Sequence, residues 1–323
     1  MPELKFNQNK VQTLIRKVFP KSSVKCHERF SEGLVNPTFR VRISNPSKTL
    51  VVKLGRLKRK STIKKNNLIL NYLSERGIPA PKVYYDGVFD RKFITIMDLA
   101  PGENGTSVYK NASQKMKRKI LLNSGKALRN IHNLRVPDFW VHQNHEIKND
   151  KEWKSWTKLR IEKYLKFFRK KFEDIYPFLE KELWDFWNIL ECEKIDFVPL
   201  HWDYHLSNIN IDRHGEVTGI FDFDNAMKGH SLADLGQTEY WIVFGVDDFR
   251  NFPSFLQGYK KDYSEKEILM IRGYFILHLL AVSRSIWFRK KRLSWIIVKH
   301  KKIINRIINE NSKKEYKVGK SHR

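Results

Sequence analysis

The sequence predicts an α+β protein with a strand-rich N-terminal lobe and a larger, mostly helical C-terminal lobe. In 39–54 and 83–97, apolar residues alternate or form short continuous runs, which are the patterns of half-buried and buried strands. From 113–134 onward, apolar residues recur instead at the helical spacing of three and four. This change of period predicts one lobe over 1–100 and a second lobe over 101–323.

The N-terminal elements follow from local patterns and stop signals. The second helix is expected to end at Gly77, because Pro79 and Pro81 follow it and a Gly-then-Pro sequence terminates helices. Asp90 and Arg91 are expected to form the turn between two strands. In chain order we expect a helix at 11–19, strands between 25 and 55, a helix at 62–76, and strands at 83–85 and 93–97.

Helical periodicity dominates after residue 103, with one interruption. The interruption is a predicted β-hairpin over 208–222, which turns at Asp212-Arg213-His214-Gly215. The helices are expected at about 113–134, 151–171, 178–191, 231–244, 252–259, 265–287 and 292–311.

The composition is that of a globular protein, since 41% of the 323 residues are hydrophobic and the length suffices for two lobes. No apolar run reaches the roughly 20 residues of a membrane span, and residues 1–10 lack the apolar segment of a secretory signal. The two cysteines, Cys26 and Cys192, are far apart, which argues against a disulfide framework or a zinc–thiolate site. We therefore expect a cytoplasmic protein without a transmembrane segment.

The chain is strongly basic, with a formal net charge of +27 from 62 basic and 35 acidic residues. Nucleic acid or an anionic membrane surface would suit such a charge. Residues 289–323 alone hold thirteen basic residues against Glu310 and Glu315, and a second basic run covers 56–65. No zinc finger or aromatic RNA-binding strand accompanies the charge, so neither partner is favoured and solvated helix faces are the preferred interpretation.

Three oxygen-bearing side chains are expected to converge at one end of the predicted hairpin. Asn208 and Asp222 occupy its two ends, which an antiparallel turn brings together, and Asp203 precedes Asn208 by five residues. Phosphoryl transfer needs a carboxylate to orient or deprotonate the attacking hydroxyl and oxygen ligands to hold Mg²⁺ on the phosphates. The segment therefore favours phosphoryl transfer, in which positioning and charge neutralisation dominate catalysis.

At these residues the sequence resembles the aminoglycoside phosphotransferase and choline kinase family, and more distantly the protein kinases. The segment His201-x-Asp203-x-x-x-x-Asn208 is similar to the family's catalytic loop, and the segment beginning at Asp222 is similar to its metal-binding segment. The resemblance implies a two-lobed protein-kinase-like fold that uses ATP and Mg²⁺. It further implies that Asp203 is the catalytic base and that Asn208 and Asp222 are the Mg²⁺ ligands.

The following residues extend the resemblance. Asp224, in Asp222-Phe223-Asp224, is expected to reach a second metal ion or the substrate. Asp234, in Ser231-Leu232-Ala233-Asp234-Leu235, resembles a family position that is structural, and His201 and His132 are also expected to be structural.

The N-terminal lobe carries the expected nucleotide contacts. Residues 31–41 resemble the family's phosphate-covering loop, in which Gly33 and Asn36 would lie close to the phosphates. Lys53 lies within an apolar strand, so its ammonium must either reach solvent or meet an anion. The resemblance implies that this anion is an ATP phosphate.

A second nucleotide contact is expected where the two lobes join. Met97, Asp98 and Leu99 are placed where the family's hinge touches adenine, and Pro101-Gly102 matches the usual continuation. The resemblance extends over about 25–260, which is most of the chain.

Two positions depart from the family pattern. Trp202 stands where the family usually has glycine, and Asn66 stands where a helix glutamate usually pairs with the strand lysine. Asparagine cannot neutralise Lys53, so either another carboxylate does so, with Glu75 as one possibility, or the nucleotide alone holds the lysine.

The resemblance favours an aminoglycoside antibiotic as the hydroxyl acceptor, and thus a role in antibiotic resistance, with choline or a sugar-like metabolite as alternatives. A nucleotide-binding pseudokinase is a further alternative. A third class is a metallohydrolase built on His201, Asp203 and His205 together with Asp222 and Asp224. An aminoglycoside is a polycation and would need a local acidic pocket in this basic protein. Its possible lining residues are Asp247, Asp248, Glu239 and Glu162.

Overall fold

The N-terminal region is a five-stranded antiparallel sheet flanked by two helices. The computed structural model describes residues 7–30, 37–142, 147–289 and 294–312. The strand order in the sheet is β1-β2-β3-β5-β4. The strands are β1 (Val24–Arg29), β2 (Thr38–Ile43), β3 (Lys48–Gly55), β4 (Val83–Phe89) and β5 (Lys92–Asp98), and the helices are α1 (Gln8–Arg16) and α2 (Lys60–Ser74).

The remainder of the described chain is mainly helical. Its helices are α3 (Gly105–Asn111), α4 (Gln114–His132), α5 (Asp150–Phe168), α6 (Tyr176–Cys192), α7 (Ser231–Val246), α8 (Phe252–Tyr259), α9 (Glu265–Arg289) and α10 (Ser294–Ser312). Two small antiparallel sheets lie among them and carry the loops discussed below. One pairs β7 (Phe197–Leu200) with β10 (Met227–His230), and the other joins β6 (Glu103–Asn104), β8 (Ile209–Ile211) and β9 (Val217–Ile220) in that order.

Two hydrophobic clusters hold the protein together. The smaller cluster lies between α1 and one face of the five-stranded sheet. The larger one fills the helical region and also takes in Ile69, Leu70 and Leu73 of α2. Helix α2 thus packs on the helical region as well as on the sheet, and it joins the two parts of the protein.

The predicted α+β class, with an antiparallel sheet first and helices after it, is confirmed. The turn at Asp90 and Arg91 is present, and both residues have positive φ. The sequence patterns missed α3 and the strands β6, β7 and β10, because elements of two to seven residues are too short to show a period. The division at residue 100 stays a prediction.

Helix α9 meets the length and apolarity of a membrane span over Glu265–Phe288, which the search for long apolar runs did not find. However, 56% of this segment is buried inside the protein. A helix in the core of a protein passes the same test, so this one feature is weak support for a membrane span.

Candidate active site

The hairpin formed by β8 and β9 brings the predicted ligands to one edge. The N–H of Phe221 donates to the carbonyl of Asn208 over 2.9 Å, which ties the start of β8 to the end of β9. Asp222 follows at once with a φ of 64°, a left-handed conformation in which its chain direction changes sharply. Asp and Asn tolerate this region better than most residues. The backbone therefore sets Asn208 and Asp222 side by side.

Buried Asp234 holds the loop that carries Asp203. Its carboxylate is fully buried and accepts the backbone N–H groups of His201 at 2.8 Å and Trp202 at 3.0 Å. His132 Nε2 donates to the same carboxylate over 3.1 Å, while Tyr259 hydrogen-bonds the other ring nitrogen. Asp234 thus anchors the loop to α4 and α8, which agrees with the structural role expected of it and of His132.

His201 links the same loop to the end of β9. Its Nε2 donates to the carbonyl of Phe221 over 2.8 Å, and the ring is completely buried. Burial lowers the pKa of this imidazole, so the ring is neutral. A ring packed between Tyr204 and Phe223 fills a structural position and does not fit the metallohydrolase alternative.

Asp203 lies in a partly enclosed and electronegative position. Burial, with the charges of Asp222 and Asp234, raises the pKa of this carboxyl to about 7, although hydrogen bonding from Asn225 and Trp241 opposes the shift. His205 Nε2 lies 3.6 Å from the carboxylate. Burial lowers the pKa of His205 to about 4, so it is neutral near pH 7 and does not form an ion pair there.

The amide nitrogen of Asn208 is held by two neighbours. This Nδ2 donates to the carbonyl of Asp203 over 3.0 Å and to His205 Nε2 over 3.1 Å. Neither bond uses the amide oxygen, which is the atom that could bind a metal ion. Among the described ranges, no group of three or more His, Cys, Asp or Glu side chains could hold a metal ion. A site completed by nucleotide phosphates, as is usual for Mg²⁺, fits this set of donors.

Cations from β3, from α2 and from the short 3₁₀ turn that precedes α2 act on Asp224. Arg59 donates to its carboxylate over 2.6 Å, and Lys65 donates to its backbone carbonyl over 2.8 Å and to that of Ala226 over 3.1 Å. Burial and Asp222 raise the pKa of Asp224, whereas Lys53, Arg59 and Lys65 oppose this effect. Burial lowers the pKa of Lys65 to about 8.

The carboxylate that acts on Lys53 is therefore Asp224. The expected possibility of Glu75 is wrong, since this residue ends α2 with its side chain exposed beside Arg76. Lys53 itself lies in β3, opposite Thr38 on β2 and Thr95 on β5. An aspartate after the hairpin thus lies within electrostatic reach of the strand lysine, where the family pattern uses a helix glutamate.

Asn66 has a different task from the glutamate that it replaces. Its side-chain oxygen accepts the backbone N–H of Phe223 over 2.9 Å. Its amide nitrogen donates to Asn67 over 3.3 Å, and Asn67 in turn donates to Thr95 over 3.0 Å. A chain of hydrogen bonds through buried side chains thereby connects the five-stranded sheet to the residue after Asp222.

Replacing Asn66 with alanine is expected to destabilise the protein by about 1–3 kcal/mol, because the buried N–H of Phe223 loses its acceptor. Denaturant unfolding measures this change. Asn66→Asp is the matched control, since it keeps an acceptor oxygen and should recover most of the loss. Equal stability of the alanine variant and the unaltered protein would show that the hydrogen bond contributes nothing.

Met97, Asp98 and Leu99, the residues expected at the hinge, are held by neighbours in the sheet and in the larger hydrophobic cluster. Asp98 forms an ion pair with Lys48 over 2.7 Å and accepts from the Tyr84 hydroxyl. Met97 packs against the larger hydrophobic cluster, and Leu99 N–H donates to Thr49 over a long 3.4 Å. The side chain of Asp98 is thus occupied, so an adenine contact here would use the backbone.

Gly33 and Asn36 lie outside the described residues. Their expected place over the phosphates therefore stays a prediction.

The acidic residues expected to line the acceptor pocket have other surroundings. Glu162 and Asp247 are exposed. Asp248 accepts hydrogen bonds from Tyr109 at 2.7 Å and from Asn251 at 2.7 Å. Glu239 is half-buried on α7. Glu162 and Asp247 thus face solvent, and Asp248 is held by Tyr109 and Asn251.

Sequence reasoning missed Trp241, Arg59 and Lys65. Trp241 lies on α7 with its ring against His205 at 5.0 Å, and the two basic residues hold the segment after the hairpin. The basic run over 56–65 was the available signal. Its members Arg59 and Lys65 have partners in the helical region, whereas the sequence suggested solvated charges.

Three solved structures illustrate the similarity of the fold. A thermostable mutant of aminoglycoside phosphotransferase APH(4)-Ia, in complex with ADP and hygromycin B, is 14% identical over 92% of this chain and 98% of that chain, with a TM-score of 0.65. Wild-type aminoglycoside 2'-phosphotransferase-IIIa, in complex with GDP, is 14% identical over 93% and 99%, with a TM-score of 0.63. The enzyme APH(3'')-Id of Streptomyces rimosus, with ADP and streptomycin, is 18% identical over 86% and 99%, with a TM-score of 0.53.

At such low identities, the structural likeness shows a shared fold, and it confirms the kinase-like architecture implied by the resemblance. No curated protein sequence matches the chain. The sequence profile of a phosphotransferase family, however, matches residues 27–274, which is well over half of the 323 residues. By this match the chain belongs to the phosphotransferase enzyme family, the APH family, and is a phosphotransferase.

Proposed function

We propose that this protein transfers the γ-phosphoryl group of ATP to a hydroxyl group of a small molecule. The observation that carries the proposal is the meeting of Asp203, Asn208 and Asp222 at one edge, where the charge of the strand lysine Lys53 also acts on Asp224. In this arrangement, 1–100 would bind the nucleotide and 101–323 would supply the base and the acceptor site.

Asp203 is the proposed general base. It is held in place by a loop whose backbone N–H groups are tied to buried Asp234. The pKa of its carboxyl is raised to about 7. A general base works best when its pKa lies near the operating pH, so this value suits proton transfer at neutral pH. The attacking hydroxyl would donate its proton to this carboxylate as the new phosphate ester bond forms and the bond to the ADP oxygen breaks.

Asn208 and Asp222 are proposed to hold Mg²⁺ together with the nucleotide phosphates. The free amide oxygen of Asn208 and the carboxylate of Asp222 are the hard oxygen donors that this ion requires. When bound, Mg²⁺ neutralises charge on the phosphates. Mutual repulsion among Asp203, Asp222 and Asp224 is the electrostatic feature of this edge that a cation would relieve.

The nucleotide contacts are proposed on the N-terminal side. Lys53 would bind a phosphate, Met97–Leu99 would contact adenine through the backbone, and Gly33 and Asn36 would cover the phosphates. Support for the first contact is the electrostatic effect of Lys53 on Asp224, the residue that follows the hairpin. The choice of ATP rests on the resemblance, since solved neighbours contain ADP, AMP-PNP or GDP.

An aminoglycoside is the acceptor that the neighbours suggest, because two of them contain hygromycin B and streptomycin. A role in antibiotic resistance would follow only from that acceptor. The two cysteines are free and exposed, which suits a reducing compartment such as the cytoplasm.

The proposal is tested by measuring ATP consumption with Mg²⁺ and a panel of aminoglycosides, choline and sugars. We expect turnover that an acceptor stimulates and that Asp203→Ala abolishes. Tight Mg·ATP binding with no turnover on any acceptor would favour the pseudokinase alternative instead. Turnover that persists in Asp203→Ala would remove Asp203 from the role of base.

A further inference from the structure

We infer that the acceptor is a hydroxylated small molecule that carries an anionic group, a carboxylate or a phosphate, recognised by Arg160, which lies against the loop that carries the base. This inference rests on the proposed function and names the acceptor class of the same site. It is carried by the side chains on the acceptor side of Asp203, which are aromatic, donor-rich and basic.

The aromatic part of this wall is built from α5 and the catalytic loop. Trp202, next to Asp203 in sequence, contacts Trp156 at 5.8 Å and Trp153 at 5.9 Å between ring centroids. Trp153, Trp156 and Arg160 are three and four residues apart, so they share one face of α5. That face is therefore turned toward the loop that carries the base.

Arg160 places a permanent positive charge on this wall. Its guanidinium lies 4.4 Å from the ring centroid of Trp156 and 5.9 Å from that of Trp202. Throughout the part of the chain that the structure describes, no carboxylate forms an ion pair with Arg160. Arginine is charged at all physiological pH values and presents a planar fork suited to carboxylates and phosphates.

The opposite wall comes from α7 and α9 and adds hydrogen-bond donors. Gln237 Nε2 donates to His278 Nδ1 over 3.1 Å, so the His278 proton lies on Nε2. This Nε2 is buried, and within the described residues it has no hydrogen-bond partner. The indole N–H of Trp241 acts on Asp203 instead, where it opposes the rise in the pKa of that carboxyl.

The two walls belong to one site. Trp241 contacts His205 at 5.0 Å and His278 at 6.0 Å between ring centroids. The charge of Arg160 acts on His278 and helps burial to lower the pKa of that ring to about 3. The guanidinium of Arg160 is the cationic group that lies against the Trp156 and Trp202 rings of this wall.

A buried donor without a partner is costly, and an acceptor-rich ligand would satisfy it. Gln237 Oε1 differs from such a donor, because it is a buried acceptor without a hydrogen-bond partner among the described residues. A hydroxyl group of the ligand could donate to it. A polycation, in contrast, would have to lie beside Arg160, and Arg160 already covers the face of Trp156 that could otherwise bind a cation. The wall thus selects an anionic group and disfavours an aminoglycoside.

The test compares three classes of carbohydrate acceptor that differ in charge. The cationic class is streptomycin and hygromycin B, the neutral class is a hexose, and the anionic class is the same hexose as its phosphate or its uronate. ATP consumption is measured for the full chain and for Arg160→Ala. We expect turnover chiefly with the anionic arms, and a KM for them raised at least tenfold in Arg160→Ala with kcat and the KM for ATP little changed. The phosphate and uronate arms distinguish the two anionic groups.

Lys163→Ala is the matched control, because it removes the same charge from an exposed position on the same helix. Its KM values should stay unchanged. Preferred turnover of the neutral or cationic arms, or equal effects of the Arg160 and Lys163 variants, would overturn the inference.

Binding without ATP separates this inference from the proposed function. Calorimetric titration with the hexose phosphate and the uronate should show affinity that Arg160→Ala lowers at least tenfold, whether or not any acceptor is phosphorylated. Binding without turnover would contradict the proposed transfer and retain the anionic site. Absence of binding by both anions would overturn the anionic site, even if the protein turns over ATP with another acceptor.

Discussion

Asp203→Asn should lower acceptor-stimulated ATP turnover by about 10²–10⁴-fold, the usual contribution of general acid–base catalysis. The substitution keeps the size of the side chain and its position on the loop anchored by Asp234. Affinity for Mg·ATP should change little, because Asp203 is assigned to the acceptor hydroxyl. A turnover assay and a nucleotide titration on the same sample measure both quantities, and loss of nucleotide affinity in proportion to activity would refute the assigned role.

The same residue predicts a pH profile. In the protein without Mg²⁺ the pKa of the Asp203 carboxyl is raised to about 7, so this group makes stability depend on pH. The folded protein holds this proton more tightly than the unfolded chain, in which an aspartate titrates near 4. Ionisation therefore costs stability progressively as the pH rises from about 4 to about 7.

Asp203→Asn should consequently raise the melting temperature of the nucleotide-free protein at pH 8 and have little effect near pH 4. Asp196→Asn, at a side chain that is 88% exposed, is the control for removing one negative charge elsewhere. A stabilisation of equal size at both pH values would show that the carboxyl is not perturbed as its surroundings indicate.

Asp222→Asn should remove the Mg²⁺-dependent part of ATP affinity, a loss of at least about tenfold or 1.4 kcal/mol. Asparagine also tolerates the left-handed backbone found here, with its φ of 64°, so the change removes charge with little strain. Titration of ATP binding at several Mg²⁺ concentrations measures the effect. An unchanged Mg²⁺ dependence would rule out Asp222 as a ligand.

A second readout does not depend on the metal ion. The charge of Asp222 is one cause of the raised pKa of Asp203, so its removal should shift the pH dependence of stability toward lower pH in the absence of nucleotide and Mg²⁺. A merely structural aspartate at this turn would leave that dependence where it is.

The fold and the hairpin site were accessible from the sequence because they depend on short-range order. The period of the apolar residues located the main strands and helices within a few residues, and the five-residue spacing of Asp203 and Asn208 fixed their relation before the structure was known. The predicted turn at Asp212 determined that the ends of β8 and β9 lie together, since the turn of a hairpin limits the register of its strands.

The parts that sequence reasoning missed depend on residues far apart in the chain. Asn66 bonds Phe223 across 157 positions, and Lys65 bonds Asp224 across 159. No local pattern distinguishes such a lysine from one that faces water. Trp241 was missed for a related reason, since the spacing of its helix describes a core residue equally well.

Trp202 combines a strained backbone with an aromatic ring that packs on α5. Its φ of 60° lies where a residue with a side chain is strained by roughly 1–2 kcal/mol, and the related family usually has glycine at this position. A change to glycine would relax the backbone but remove the ring that packs against Trp153 and Trp156, while Asp234 would still fix the neighbouring N–H groups. In evolutionary terms, the packing of such a ring outweighs a strain of this size, so the tryptophan is retained at a position that otherwise favours glycine.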